Sequence, residues 1–197
     1  MASSSGVAII EIHPEPIRGP WIEGFVLDRH VIKSAPIGYY GQHMQFDTVR
    51  SELGELIYQL KNRNGPPGDI IETASDFVAK QWTCRIDCLI AAPPSVQRAK
   101  QPAVVLAEGI AALLKLELLD GVVVKAKPTA AMKDVPPDKR SALLKGAIQA
   151  GPTSVAGRRV LIVDDLWQTG GTMRRVAEVV TAMGASEIRA LAMTRTK

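Results

Sequence analysis

The sequence is poor in several things that would each have pointed somewhere. Its 197 residues include two cysteines, Cys84 and Cys88, too few to staple a small secreted fold with disulfides. The pair is separated by three residues rather than two, and His13, His30 and His43 lie far from it in sequence, so the spacing of a structural zinc site is missing. Aromatic residues are scarce, three each of Phe, Trp and Tyr. Trp21, Trp82 and Trp167 therefore read first as packing residues, Trp167 being the one placed to touch a ligand. No apolar run approaches the ~20 residues of a membrane span. The stretch 7–10 runs straight into Glu11 and is too short for a secretory signal. Lys and Arg nowhere run longer than two, and their 24 against 20 acids leaves a net charge of +4. That surplus suits a pocket for a polyanionic metabolite as well as a nucleic-acid surface, and without a basic run nucleic acid is not favoured.

What remains is enough for one full domain with a small appendage. Apolar residues make up 46% of the chain and charged ones 22%, which predicts a sizeable core, little disorder and a soluble protein of the cytoplasm. Residues 1–64 read as an N-terminal appendage and residues 65–197 as the core. In the first part, residues 7–12 and 22–32 look like strands around a turn with Pro14, Pro16, Gly19 and Pro20. Residues 38–41 read as a loop. Asp47 or Thr48 can cap a helix with the stripe Val49, Leu53, Leu56, Ile57 and Leu60, ended by the Asn, Gly and Pro residues of 62–68. A second helix is expected over 69–81.

From there strands and helices alternate. Residues 86–92 read as a buried strand, 99–116 as a helix, 122–125 as a short strand, and 126–138 as an aperiodic stretch holding Pro128, Pro136 and Pro137. A helix over 141–149, a strand over 159–163, a helix from about 172 to 183 stopped by Gly184, and a strand over 187–193 complete the pattern. This order predicts an α/β fold, a parallel twisted sheet with helices on both faces.

The segment with chemical content is Val160-Leu161-Ile162-Val163-Asp164-Asp165-Leu166-Trp167-Gln168-Thr169-Gly170-Gly171-Thr172. A buried strand delivers two adjacent carboxylates to its C-terminal end, the edge where open parallel sheets bind ligands. Adjacent strand residues face opposite ways, so both acids can serve one ligand only once the chain has left the sheet. Thr169-Gly170-Gly171-Thr172 then opens a helix, whose free N–H groups and dipole make an anion cradle. Asp-Asp alone is commonly a capping turn and Gly-Gly-Thr a common loop; the combination at this spacing is specific. Neither G-x-x-x-x-G-K-[ST] nor G-x-G-x-x-G occurs.

This segment resembles the phosphoribosyl pyrophosphate signature of type I phosphoribosyltransferases. Residues 51–61, the run Ala91-Ala92-Pro93-Pro94-Ser95 with Arg98 and Gln101, and Arg140 are similar to the ComF-like branch, loosely over 50–196. The resemblance implies the type I phosphoribosyltransferase fold and a set of roles. Asp164 and Asp165 would receive the ribose hydroxyls, and Gln168, Thr169, Gly170, Gly171 and Thr172 would wrap the sugar's phosphate. Ala92, Pro93, Pro94 and Ser95 would form the pyrophosphate loop, with Arg98 as a charge partner. Residues 126–138 fall where the family has a closing loop, from which Lys127, Lys133 and Arg140 would reach the pyrophosphate. Gln168 stands where the family usually has a small residue, Trp167 is bulkier than the common choice, and the four-cysteine finger of many ComF-like proteins is missing.

The implied reaction is displacement of pyrophosphate from the anomeric carbon by a nitrogen nucleophile, through an oxocarbenium-like transition state. Mg²⁺ would neutralise the leaving group, held mainly by ligand oxygens with Asp164 or Asp165 beside it. The acceptor, a base or amine, is not specified by the sequence. Tyr39, Tyr40, His43 and Phe46 either stack on it or, the favoured reading, pack the appendage to the core. The alternative by the same resemblance is a non-catalytic ComF-like accessory of DNA uptake or processing that binds phosphoribosyl pyrophosphate, nucleotide or DNA. A homodimer is the family default.

Overall fold

The computed structural model describes residues 8–82, 85–94, 98–125 and 146–196. Ser95, Lys127, Lys133, Arg140, Cys84 and the whole 126–138 stretch lie outside them. Ten strands are described. They are β1 (Glu15–Pro16), β2 (Glu23–Arg29), β3 (Lys33–Tyr40), β4 (His43–Val49), β5 (Cys88–Ala91), β6 (Glu117–Leu118), β7 (Val123–Lys125), β8 (Ile148–Ala150), β9 (Arg159–Trp167) and β10 (Glu187–Arg195). The longer helices are α1 (Glu52–Arg63), α2 (Gly68–Trp82), α3 (Pro102–Leu114) and α4 (Gly171–Ala182).

The main sheet runs β1-β2-β10-β9-β5-β6. All its neighbours are parallel except β1, which is antiparallel to β2. Its central strands are apolar on both faces, as a sheet covered on both sides requires. Val160 and Ile162 of β9 pack with Val176, Ala177 and Val180 of α4. Leu161 and Val163 pack with residues of α1, α2 and α3 on the other face. The expected α/β fold, mainly parallel and helix-covered on both faces, is what the chain forms.

Several local expectations need correcting. Residues 38–41 are not a loop: they belong to an antiparallel hairpin, β3–β4, with Tyr40 paired to His43 across the turn at 41–42. Pro36 inside β3 and the exposure of both strands erase the alternation that marks a half-buried strand. Residues 8–12 form no strand. The strand that follows α3 into the main sheet is β6, two residues long at its edge, whereas β7, within the expected strand 122–125, pairs antiparallel with β8 in a separate ribbon. Ile148 to Ala150, expected to end a helix, form β8. Among residues 8–64, β1 and β2 join the main sheet, and β3–β4 forms a separate two-stranded sheet.

Helix α1 begins at neither Asp47 nor Thr48, both of which lie in β4. Ser51 caps it: the hydroxyl accepts the Gly54 N–H at 2.9 Å and donates to the Arg29 carbonyl at 2.5 Å. One side chain thus ties the helix start to the end of β2. A Cβ on Gly54 would lie 2.3 Å from the His30 carbonyl oxygen, so glycine is what lets the helix come this close. Asn64 ends the helix in the left-handed region, φ +52°, as C-terminal caps commonly do. Ser51→Ala should lower stability by about 1–2 kcal/mol, since a cap and a tertiary bond go together. A denaturant midpoint unchanged from the parent would mean the cap is redundant.

Candidate functional site at the C-terminal edge of the sheet

Strand β9 does not stop at Val163. It pairs with β10 as far as Trp167, with Asp164 opposite Ala192 and Leu166 opposite Thr194. Both carboxylates are therefore still on the strand, so the expectation that the chain leaves the sheet before them fails. By alternation Asp164 falls on the face of Val160 and Ile162, and Asp165 on that of Leu161 and Val163. The one on Asp165 meets helix α1, where Lys61 Nζ lies 2.9 Å from its Oδ2. Asp164 turns back on its neighbour, its Oδ1 accepting the Asp165 N–H at 2.8 Å. Burial, together with the adjacent Asp165 charge, pushes the Asp164 carboxyl well above its usual range, and Lys61 pulls it partly back.

This shift has a consequence for stability. The folded chain holds the Asp164 proton more tightly than the unfolded chain does, so the contribution is present at acidic pH. It is lost as pH rises from the unfolded value of 3.8 through the raised folded one. Asp164→Asn keeps an oxygen for the Asp165 N–H and carries no charge. We expect it to be about 1 kcal/mol more stable than the parent at neutral pH, the gain vanishing below about pH 4. Thermal unfolding at both pH values checks this; a gain independent of pH would contradict a strained carboxylate.

After β9 the chain passes through Gln168 and Thr169, both exposed, to Gly170, which caps α4 with φ +73°. Gly171 and Thr172 are the first residues of the helix, where backbone N–H groups have no partner within it. Two features that the sequence did not advertise hold this turn. The Trp167 ring is buried beneath it, edge-on to Trp21 at 5.9 Å between centroids, which leaves the ring a packing element rather than a ligand contact. Arg174 stacks on that ring at 5.1 Å, donates to the Thr169 carbonyl at 2.6 Å, and reaches the Arg18 carbonyl at 3.0 Å. An arginine three residues into a helix is ordinary in sequence; only the fold brings Arg18 to it.

The neighbouring strand ends at the same edge. The Ala92 N–H donates to the Val163 carbonyl at 2.8 Å, so Ala92, Pro93 and Pro94 leave β5 directly beside the two acids. Lys125, at the end of β7, donates to the Pro94 carbonyl at 3.0 Å, and burial lowers its pKa. A cavity of about 760 Å³ opens here, lined among others by Ala92, Pro93, Pro94, Asp120 and Lys125. No residue of 164–172 lines it. Arg98 is half-buried and also outside the lining.

The N-terminal segment contributes two residues that sequence reasoning missed, Lys61 and His30. His30 follows β2, its Nδ1 3.1 Å from Thr194 Oγ1 at the end of β10. Burial and the charges of Arg50 and Lys61 lower its pKa, against the pull of Asp165 and Glu55. Tyr39, Tyr40 and Phe46 do not pack the hairpin to the core: they are 71%, 81% and 53% exposed. Among the described residues no group of three or more His, Cys, Asp or Glu is arranged to hold a metal, and no helix is long and apolar enough to cross a membrane. Cys88 is buried in β5 as a free thiol, raised in pKa by that burial.

No curated protein matches this sequence. Among solved structures, it is similar to a purine phosphoribosyltransferase from Pyrococcus horikoshii, with 19% identity, a TM-score of 0.41, and 64% of this chain and 80% of that one covered. An adenine phosphoribosyltransferase from Leishmania tarentolae shows 11% identity and a TM-score of 0.48 over 93% and 94% of the two chains. A hypoxanthine phosphoribosyltransferase from Staphylococcus aureus shows 11% and 0.41 over 63% and 60%. Residues 100–195, which run from just before α3 to the end of β10 and contain Asp164, Asp165 and the turn into α4, match the phosphoribosyl transferase domain family.

Proposed function

We propose that the protein binds phosphoribosyl pyrophosphate at the C-terminal edge of the sheet and transfers its phosphoribosyl group to a nitrogen nucleophile. The observation that carries this reading is the order of groups along one short path. Two carboxylates lie near the C-terminal end of β9, and five residues after Asp165 a left-handed Gly170 opens the N-terminus of α4. Polyol hydroxyls suit the first and a phosphate the second. The family match over residues 100–195 supports the same ligand.

In this reading Asp165 takes the ribose hydroxyls, Asp164 steadies it by accepting its backbone N–H, and Gln168 to Thr172 take the phosphate. The pyrophosphate lies toward Ala92, Pro93, Pro94 and Ser95, with Arg98, Lys133 and Arg140 as its cationic partners. The nitrogen lone pair forms a bond to the anomeric carbon as the C–O bond to pyrophosphate breaks, its electrons leaving with the diphosphate. The protein's part is to hold both reactants and shield the charge, and no side-chain nucleophile is needed. A divalent cation fits only as a companion of the diphosphate. Asp165 already has one oxygen on Lys61 and Asp164 resists ionisation, so at most one or two protein oxygens would join the ligand's own. Mg²⁺ in that position would neutralise the leaving group.

Calorimetric titration of phosphoribosyl pyrophosphate, with and without Mg²⁺, tests the reading, followed by a screen of nucleobases and amines for pyrophosphate release. Micromolar binding is expected; no heat in either condition would refute it. The ComF-like alternative, a binding protein of DNA uptake or processing, draws support from the exposed Tyr39, Tyr40 and Phe46 on a ribbon beside Lys33 and His43. Steeply salt-dependent DNA binding without pyrophosphate release would favour it.

A further inference from the structure

A lysine in the last turn of a helix is unremarkable by itself, since the dipole favours a cation there. Lys61 does something else. Its ammonium leaves α1 for the main sheet and lies 2.9 Å from Asp165 Oδ2, with only 16% of the lysine side chain and 13% of the aspartate exposed. The helix that carries it is located independently of this pair. Ser51 bonds to the Arg29 carbonyl, Gly54 sits against the His30 carbonyl, and Leu53, Ile57 and Leu60 are buried in the core under β10 and β9. Three turns of helix thus bring one cation to one oxygen of one signature acid. The competing partners are engaged elsewhere: Arg50 pairs with Glu55 at 3.2 Å, and His30 contacts Thr194.

We propose that Lys61 is a positioning residue of the candidate site, holding the Asp165 carboxylate through Oδ2 so that its other oxygen meets the hydroxyls of a phosphorylated sugar. This deepens, and rests on, the reading of the site as one for phosphoribosyl pyrophosphate. It assigns the N-terminal segment a part in that site. The physical reason is orientational. A carboxylate on a strand end has a free χ2 rotation, and a near-buried ion pair removes that freedom before ligand arrives, so less of the binding energy is spent on ordering it. The same ammonium offsets the concentration of negative charge at two adjacent acids, of which Asp164 is raised first by burial and then by the Asp165 charge.

The test is a double-mutant cycle on affinity for phosphoribosyl pyrophosphate, with thermal unfolding of each variant as a control. Lys61→Met, which keeps the stem and loses the charge, should weaken binding about tenfold, and Lys61→Arg should recover most of it. Asp165→Asn and the double variant Lys61→Met with Asp165→Asn should bind equally weakly, because Lys61 has nothing left to position. If the double variant is weaker than Asp165→Asn by the full Lys61→Met factor, Lys61 acts independently of Asp165 and the proposal fails. Unchanged affinity in Lys61→Met with the parent binding normally overturns this role alone. No binding by the parent protein overturns the ligand reading and this role with it.

Discussion

Asp165→Asn is expected to weaken phosphoribosyl pyrophosphate binding about 10- to 100-fold, the equivalent of one charge-assisted hydrogen bond of about 1.5–3 kcal/mol. The substitution keeps the shape of the side chain and removes its charge. It should not leave stability untouched, because the Lys61 ammonium, 16% exposed, loses its anion. A cost of about 1–3 kcal/mol follows from stranding a mostly buried charged donor, well short of unfolding a typical domain. Adding Lys61→Met should return part of that stability without returning affinity. The contrast separates the two functions of Asp165. Lost stability with unchanged affinity would make it a strut between β9 and α1 and nothing more.

Gly170→Val should lose both affinity and about 2–5 kcal/mol of stability. Two causes add. The backbone is at φ +73°, a region that a β-branched residue enters only at a cost of about 1–2 kcal/mol. A Cβ there would also stand 2.0 Å from Cη2 of Trp167, whose ring is fixed by Trp21 and covered by Arg174. Overpacking of this kind costs about 1–3 kcal/mol. Moving the turn to relieve the overlap would drag the first N–H groups of α4 away from the position of an anion. A variant that is destabilised but binds normally would show that the turn is structural and that the phosphate is held elsewhere. Gly171→Ala is the companion, since a first-turn helical position accepts a Cβ at little backbone cost. A loss of affinity there without loss of stability would mark close approach of the ligand.

The α/β character, the elements β5, α3, β9, α4 and β10, and the 160–172 segment are legible without coordinates, because each is encoded locally. Apolar runs of strand length, a glycine at a helix start and adjacent acids at a strand end are all properties of a few consecutive residues. The failures have a common cause as well. Residues 38–41 read as a loop because neither strand of the β3–β4 hairpin buries a face, so the alternation that identifies a strand is not written into them. Asp47 and Thr48 look like caps of α1 in sequence because what favours Ser51 is not local: the Arg29 carbonyl, 22 residues away, selects it. Trp167 reads in sequence as a packing residue placed near a ligand; that Trp21 and Gly170 enclose its ring is visible only in the fold.

By itself, then, the sequence determined the class of fold and the place along the chain where two acids precede an anion-binding turn. Only the tertiary structure decided what surrounds that place: Lys61 on Asp165 from a helix about a hundred residues earlier, Ala92 hydrogen-bonded to Val163, and Arg174 bound back to Arg18 beside the turn. Local pattern follows from the conformational preferences of neighbouring residues. The partner of a buried charge is set by the packing of whole elements, and no window of sequence contains both.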